Sequence, residues 1–405
     1  MEKFPDRFFL GAATSAYQVE GTNSQNDWWD WEQKVCLKEG SGDACRHYDL
    51  YEADFDLAKQ LHHNAHRFSV EWSRVEPAKG NFSLQEIEHY KHVAAALRER
   101  GIEPIVTLHH FTNPLWFARG GGWEHEESPV SFARYAQQVV EALCDTVRFW
   151  VTVNEPMVYV YYSYVIGKWP PQKKSLWQAK KVADNFAAAH RAAYRLIHDT
   201  YRSKGLPPPA VSVAQNIRAF EPQSGALMNR FAARLQDRFF NRAFIEKLIR
   251  ARSLDFIGVN YYTRDLVDVR NWFPPRTAAD TRQGNSAAIR RSSLGWEIYP
   301  KGLLDLLLSF KRYGLPLFVL ENGICTDDDS QRWEFIREHL RNVLLAIKGG
   351  VPVLGYIYWS LLDNYEWDEG FAPRFGLVDV NYTTYRRTVR ESALKFASAC
   401  KNGGI

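Results

Sequence analysis

The chain has 405 residues, 45% of them apolar and 14% aromatic, so it can bury a large core. Its 51 basic and 47 acidic residues leave a net charge of +4, and this near balance gives no support for nucleic acid or a membrane surface as a partner. The first residues, MEKFPDRFFLGAATSAYQ, lack the apolar core of a signal peptide, and no stretch approaches about 18 uncharged apolar residues. We therefore expect a cytoplasmic protein.

Cysteine and histidine give no sign of a structural metal or a disulfide framework. The five cysteines are odd in number and have no CxxC spacing, which favours reduced thiols; they are Cys36, Cys45, Cys144, Cys325 and Cys400. His62, His63 and His66 lie close together, but no cysteine or HExxH pattern accompanies them. We expect neither a metal nor a cofactor.

Short strand-like runs alternate with helical patterns along the whole chain. The predicted strands are Phe8–Ala13, Ala65–Val70, Pro104–His109, Phe149–Asn154, Val211–Asn216, Asp255–Asn260, Leu317–Glu321 and Val353–Trp359. Several are continuously apolar, as is typical of parallel strands that are covered on both faces. Between them, apolar residues at helical spacing predict helices at Leu84–Arg100, Pro129–Asp145, Arg230–Arg250 and Arg332–Lys348.

Eight strands alternating with helices predict an α/β fold, a single closed (β/α)8 TIM barrel. The alternative is an open doubly wound sheet, but no GxGxxG or GxxxxGK[ST] motif follows any strand. No linker, repeat or low-complexity tract divides the chain. We therefore expect one domain over residues 1–405.

Two glutamates stand at the ends of predicted strands. Glu155 lies in TVNEP and Glu321 in FVLENG, and each follows an apolar, β-branched run and precedes proline or glycine. This pattern places a carboxylate at the C-terminal tip of a buried strand, where functional groups gather in a barrel. Cleavage of a glycosidic bond needs such a pair, one carboxyl as acid and the other as nucleophile or base. A helix-capping role for the two glutamates is the simpler alternative.

Other strand tips carry polar or aromatic side chains suited to a sugar. In chain order they are Gln18 and Glu20, Arg67, His109 and His110, Asn154, Asn260 and Tyr262, and Trp359. Because neighbouring strand residues alternate between faces, we expect His110 to face the site and His109 to pack in the core. This coincidence across most of the strands is more specific than any single motif.

These segments together resemble a retaining β-glycosidase of glycoside hydrolase family 1 over essentially the whole chain. The matching pieces are FLGAATSAYQVEG, HRFSVEWSR, VTLHHFTNPLWF, TVNEP, DFIGVNYYT, GWEIYP, FVLENG and WSLLDNYEW. The resemblance implies that Glu155 is the general acid/base and Glu321 the nucleophile. It implies supporting roles for four further residues: Arg67 beside Glu321, Tyr262 bonded to Glu321, Asn154 at the sugar 2-hydroxyl, and Asn260 near Glu155.

The resemblance also implies a sugar pocket. Gln18, His110, Glu366 and Trp367 match the residues that bind the glycone, Trp359 its floor, and Trp296 the aglycone side. The implied activity is hydrolysis of terminal β-D-glycosyl residues from small β-glycosides or short oligosaccharides, mainly glucosides, with galactosides and fucosides tolerated. Two alternatives remain: transglycosylation by the same residues, and an inactive sugar-binding protein. Two mutually repelling carboxylates argue against the second alternative.

Further expectations concern the surroundings of the pocket. Repulsion from Glu321 should raise the pKa of Glu155. At least one of Trp28, Trp29 and Trp31 is expected at the aglycone entrance, and Tyr161, Tyr162 and Tyr164 are expected in ordinary helix packing. Phe111 stands where many relatives place tryptophan. The segment between Phe244 and Asp255 is short for the family, so one side of the barrel could be less covered than in relatives. Whether the chain is a monomer or a homo-oligomer is therefore left open.

Overall fold

The computed structural model describes residues 2–35, 37, 39–271 and 289–405. Eight parallel strands pair in chain order, and β8 pairs with β1, so the sheet closes without a free edge. They are β1 Phe9–Ala13, β2 Ala65–Ser69, β3 Glu103–His109, β4 Phe149–Asn154, β5 Ala210–Pro222, β6 Ile257–Val267, β7 Leu317–Asn322 and β8 Val353–Trp359. A small antiparallel pair, β9 Val378–Val380 and β10 Arg387–Val389, follows. The predicted closed (β/α)8 barrel is confirmed.

Helices surround the barrel. The α-helices are α1 Ala16–Val19, α2 Asp27–Val35, α3 His47–Gln60, α4 Trp72–Val75, α5 Leu84–Glu99, α6 Leu115–Arg119, α7 Ser128–Leu143, α8 Pro156–Val160, α9 Leu176–Ser203, α10 Leu227–Gln236, α11 Ala243–Arg250, α12 Pro300–Phe310, α13 Asp329–Lys348 and α14 Glu391–Asn402. Short 3₁₀ turns span Gly122–Glu124, Val269–Asn271, Lys311–Tyr313 and Trp367–Glu369. Two π-helical turns, Tyr161–Ile166 and Asp237–Arg242, interrupt the pattern.

The predicted strands and helices differ from the observed ones mainly around β5 and β6. The helix predicted at Arg230–Arg250 is α10, a π-helical turn and α11, beginning three residues earlier. β5 and β6 run well past their predicted ends and continue to pair with each other, from Ala219 opposite Arg264 to Pro222 opposite Val267. These extensions project from the C-terminal rim of the barrel, so they add a wall beside any pocket there.

The N-terminal end of the barrel is filled by four phenylalanines. Phe9 lies 5.2 Å from Phe149 and 5.8 Å from Phe318, and Phe256 lies 5.9 Å from Phe318, measured between ring centroids. Such side chains make the barrel interior a packed core. The C-terminal end of the barrel is therefore where side chains can surround a substrate.

The described residues contain four free cysteines and no helix that could span a membrane. Cys45, Cys144, Cys325 and Cys400 are free thiols, and Cys36 lies outside the described residues. Within the described ranges, no helix combines the length and the apolar character needed to cross a membrane.

Candidate active site

A pocket opens at the C-terminal ends of the strands and collects most of the predicted site residues. Ten of the twelve line it: Gln18, His110, Asn154, Glu155, Tyr262, Trp296, Glu321, Trp359, Glu366 and Trp367. The other two, Arg67 and Asn260, are 1% and 0% exposed and lie directly behind the pocket wall, bonded to lining residues. The fold thus brings together side chains that are up to 349 positions apart, from Gln18 to Trp367, some expected from the strand tips and others from the family resemblance.

Glu155 is held in a strained backbone conformation immediately after β4. Its φ is +44°, in the left-handed region that few non-glycine residues adopt. It occupies the N-cap position of α8 but its side chain caps nothing. Instead its Oε1 accepts hydrogen bonds from Asn216 Nδ2 and Asn260 Nδ2, both 2.9 Å long. Glu155 is therefore not a helix cap, because its carboxylate is turned into the pocket.

Glu321 is the penultimate residue of β7, and its carboxylate accepts hydrogen bonds from two donors. Arg67 Nη1 donates to its Oε1 over 2.6 Å, and the Tyr262 hydroxyl donates to its Oε2 over 2.7 Å. Arg67 also donates to Asn154 Oδ1 at 2.7 Å and to Thr107 Oγ1 at 2.9 Å, so its guanidinium is fixed in orientation. This charge-assisted contact stabilises the ionised form of Glu321.

One asparagine links the surroundings of the two carboxyl groups. Asn154 Oδ1 accepts from Arg67, which bonds Glu321, and from Asn260 Nδ2 at 3.1 Å, which bonds Glu155. Asn260 is also paired in the sheet with Glu321. The two carboxyls are thereby held on one rigid network, which fixes their positions relative to each other.

Burial and charge set the protonation of the two glutamates differently. The pKa of Glu155 is raised to about 7. Burial contributes most to this rise and the negative charge of Glu321 adds to it, while the hydrogen bonds from Asn216 and Asn260 oppose it. The expected repulsion from Glu321 does raise this pKa, but desolvation contributes more. Burial also raises the pKa of Glu321, but Arg67 and Tyr262 oppose that rise. Near neutral pH, Glu155 is the carboxyl that holds a proton more readily.

One end of the pocket is closed by polar and indole groups. Gln18 Nε2 and Trp359 Nε1 donate to the two oxygens of Glu366, over 3.3 and 3.2 Å. The ring of His110 lies nearly parallel to those of Trp359 and Trp367, at centroid distances of 5.9 and 6.0 Å. Burial raises the pKa of Glu366 to about 8. This end offers both hydrogen-bonding groups and flat apolar faces, the two features that bind a sugar ring.

The opposite end contains residues that the sequence did not single out. Tyr162 lines the pocket, with its ring stacked 4.6 Å from Trp169, so its assignment to ordinary helix packing is wrong. Trp169 Nε1 donates to Asp368 Oδ1 over 2.6 Å, and Arg218 also faces this end. Tyr162 lies in the π-helical turn Tyr161–Ile166, and no sequence pattern predicted this turn.

Two other expectations need correction. Trp28, Trp29 and Trp31 are not among the residues that line the pocket; Trp28 is fully buried and packs behind Trp367, 4.6 Å away. Asn216, the last residue of the predicted fifth strand, was overlooked although its position at a strand tip is the signal that identified its neighbours. A polar residue at a strand tip was therefore a better guide to the pocket than the aromatic cluster on α2.

The remaining strand-tip residues serve packing. Glu20 accepts hydrogen bonds from Arg74 and from Tyr90, both 2.8 Å long, away from the pocket. His109 packs against Trp123, as its place in the alternation predicted. In the part of the chain that the structure describes, no group of three His, Cys, Asp or Glu side chains is arranged to hold a metal ion.

Comparison with known sequences places the chain in a defined family. The model described as glycosyl hydrolase family 1 matches residues 1–252 and 246–405. A 1,4-beta-D-glucan glucohydrolase from Thermotoga neapolitana is 29% identical over 452 aligned positions that cover all of both chains. A beta-galactosidase from Pyrococcus woesei is 30% identical, with 99% of this chain and 98% of that protein covered.

Solved structures are similar over the same range. A beta-glycosidase from Pyrococcus horikoshii superimposes with a TM-score of 0.91 at 40% identity, covering all of this chain and 96% of that one. A beta-glucosidase from Thermotoga maritima in complex with glucoimidazole gives a TM-score of 0.90 at 28% identity, with both chains fully covered.

Burial of Glu155 should cost stability at high pH. Its folded-state pKa is raised, so the stability associated with its protonated form is present at low pH and lost as pH rises through about 7. Glu155→Gln keeps an acceptor for Asn216 and Asn260 without the charge. Its free energy of unfolding should exceed that of wild type by up to about 3 kcal/mol at pH 8 and much less at pH 5, measured by urea titration. Exposed Glu126→Gln is the control. An equal effect of Glu155→Gln at both pH values would show that burial does not raise this pKa.

Proposed function

The chain belongs to glycosyl hydrolase family 1 and is a retaining β-glycosidase, and we propose that Glu155 and Glu321 carry out its two chemical steps. The observation that supports this most directly is the unequal setting of the two carboxyls. Glu321 faces a cation and a phenol, whereas Glu155 faces two neutral amides. A retaining enzyme needs that inequality, because one carboxyl must stay ionised to attack while the other stays protonated to donate.

In the first step, Glu155 donates its proton to the glycosidic oxygen while a carboxylate oxygen of Glu321 attacks the anomeric carbon. The bond to the leaving group breaks, the alcohol departs, and a covalent glycosyl–Glu321 ester remains. Arg67 and Tyr262 orient the carboxylate for attack and stabilise it again as it leaves. Asn154 lies between the two carboxyls and can reach the hydroxyl next to the anomeric carbon.

In the second step, Glu155 acts as a base. With its proton gone, it removes a proton from a water molecule, whose oxygen attacks the anomeric carbon and displaces Glu321. Two inversions give overall retention. The pKa of about 7 suits both roles, because Glu155 gains and loses a proton near neutral pH. A sugar acceptor in place of water would give transglycosylation by the same residues.

We propose that the glycone occupies the closed end, where Gln18, His110, Trp359, Glu366 and Trp367 meet, and that the aglycone extends toward Trp296, Tyr162 and Trp169. The substrate is then a terminal β-D-glycosyl unit of a small glycoside, chiefly a glucoside. The chain is proposed to act as one catalytic domain, residues 1–405. Its free thiols favour a cytoplasmic location.

Azide should distinguish the nucleophile from the acid/base. In Glu321→Ala, azide can enter the space of the missing carboxylate and attack directly, giving an α-glycosyl azide by a single inversion. In Glu155→Ala the glycosyl ester still forms, and azide attacks that ester to give a β-glycosyl azide. Both reactions use a dinitrophenyl β-glucoside, and NMR identifies the anomers. Exchanged anomers between the two variants would reverse the assignment of Glu155 and Glu321.

Glu155→Ala should affect substrates according to their leaving groups. An alkoxide needs a proton to depart, so cellobiose should lose about 10²–10⁴-fold in the glycosylation step. A dinitrophenolate departs with little protonic help, so kcat/KM for a dinitrophenyl glucoside should fall far less. The basic limb of the pH profile of kcat/KM should flatten as well. Equal losses on the two substrates would show that Glu155 is not the acid.

Glu366 should exclude phosphorylated sugars. Among the described residues, its carboxyl oxygens accept hydrogen bonds from Gln18 and Trp359, neither of which is a cation. A 6-phosphate of about −1.5 to −2 charge would have to enter this buried end uncompensated. We expect kcat/KM for nitrophenyl β-glucoside to exceed that for its 6-phosphate by more than about a hundredfold, and Glu366→Ser to narrow the ratio. A wild-type preference for the 6-phosphate would contradict a neutral glycone.

A further inference from the structure

Helix α10 buries small side chains and exposes large apolar ones, the reverse of an ordinary surface helix. Its buried residues are Asn229, Ala232 and Ala233, and the two alanines pack against Val267. Its large apolar side chains point to solvent. The exposed ones on α10 and the π-helical turn that follows are Leu227 at 79%, Met228 at 59%, Phe231 at 62% and Phe239 at 61%. An amphipathic helix normally buries such residues, and a cluster of them on the surface marks an interaction site.

A row of arginines runs beside this apolar stripe. Arg230, Arg234 and Arg238 are spaced four residues apart, so they share one side of the helix, and all three are exposed. No carboxylate among the described residues forms an ion pair with them. The one acidic residue in the stretch, Asp237, already bonds Asn241 at 2.7 Å and also Arg242. Among the residues that the structure describes, these three positive charges therefore have no carboxylate partner.

We propose that the stripe of Leu227, Met228, Phe231 and Phe239, with its arginine row, docks this enzyme onto an anionic lipid surface. A helix that lies in a membrane interface combines these two features: apolar side chains enter the acyl boundary, and cationic side chains meet the anionic headgroups. The near balance of charge over the whole chain gave no support for a membrane partner. That balance is an average, and the charge on this helix departs from it.

Charge also separates this partner from two others. A second copy docking through the same patch about a two-fold axis would bring the two arginine rows together, and like charges would repel. A nucleic acid would satisfy the arginines through its phosphates but would leave four large apolar side chains without an apolar partner. An anionic lipid surface offers phosphates to the arginine row and an apolar layer to the stripe.

The position of the stripe relates it to the pocket. The π-helical turn that continues α10 contains Asn241, whose side chain accepts from Arg218 N over 2.9 Å and donates to Arg218 O over 2.8 Å. Arg218 lines the aglycone end of the pocket. The two stretches matched by the family model also overlap at residues 246–252, which begin in α11 and extend two residues past its end. Docking through the stripe would therefore hold the pocket rim close to the lipid surface.

The test is sedimentation of the full chain with unilamellar vesicles. The fraction bound is measured against lipid concentration, with vesicles of phosphatidylglycerol and phosphatidylcholine in equal parts and with phosphatidylcholine alone. Wild type should bind the anionic vesicles and lose binding as ionic strength rises, because salt screens the arginines. Activity on nitrophenyl β-glucoside in the unbound protein confirms that each variant is folded.

Two double variants test the arginine row and the apolar stripe separately. Arg234→Glu combined with Arg238→Glu should lower the partition coefficient by more than about tenfold. Phe231→Ser combined with Phe239→Ser should lower it as well, and should do so at every salt concentration. The matched controls replace exposed residues on α9: Trp177→Ser, 72% exposed, and Arg202→Glu. These controls should bind like wild type.

Several outcomes would overturn the proposal. Equal binding to both kinds of vesicle, or unchanged binding by both double variants, would remove the stripe as the docking site. A wild-type dimer in light scattering that the phenylalanine variant converts to a monomer, without vesicle binding, would identify a second copy as the partner. Binding to RNA that depends on the arginines but not on the phenylalanines would identify a polyanion instead. None of these results depends on the roles of Glu155 and Glu321.

Discussion

The contact between Arg67 and Glu321 is the interaction on which the pocket depends. Arg67 is 1% exposed, and its guanidinium bonds Glu321, Asn154 and Thr107 at once. Burying a charge is costly unless it is paired and its donors are used. Loss of Arg67 would leave an unpaired carboxylate in the interior, a kind of change that costs about 3–5 kcal/mol. The same cation lets Glu321 remain ionised beside a second glutamate, so stability and reactivity rest on one side chain.

The pocket combines buried carboxyl groups, whose pKa values are raised, with strained backbone conformations. Removal from water raises the pKa of Glu155, Glu321 and Glu366, because burying an ionised carboxylate costs free energy. An apolar side chain at these positions would not carry that cost. Three pocket residues, Phe111, Glu155 and Trp367, also have positive φ angles, of 71°, 44° and 55°. Such conformations persist where the surrounding structure over-determines them. Here the closed sheet and the phenylalanine core beneath it provide that rigidity, consistent with a trade of stability for function.

The pocket and the exposed surface of α10 differ in whether their positive charges are paired with carboxylates. The two cations that line the described part of the pocket each have a carboxylate partner: Lys168 pairs with Asp368, and Arg218 donates to Asp265 at 3.1 Å. On α10 the arginines have none among the described carboxylates, although only the short link between Asn241 and Arg218 separates the two regions. Paired charges hold a pocket in shape, whereas unpaired charges beside exposed apolar side chains are suited to an external partner.

The sequence by itself determined the barrel, the two glutamates and most of the pocket. Continuous apolar runs that end in a polar residue specify both a buried strand and the chemistry at its tip, and this local signal identified Glu155, Glu321 and Asn260. Tertiary structure decided what no local pattern encodes. The π-helical turn brought Tyr162 to the pocket, packing withdrew Trp28 behind Trp367, and burial outweighed repulsion in raising the pKa of Glu155. Desolvation and side-chain direction depend on residues distant in sequence, so they appear only when the chain is folded.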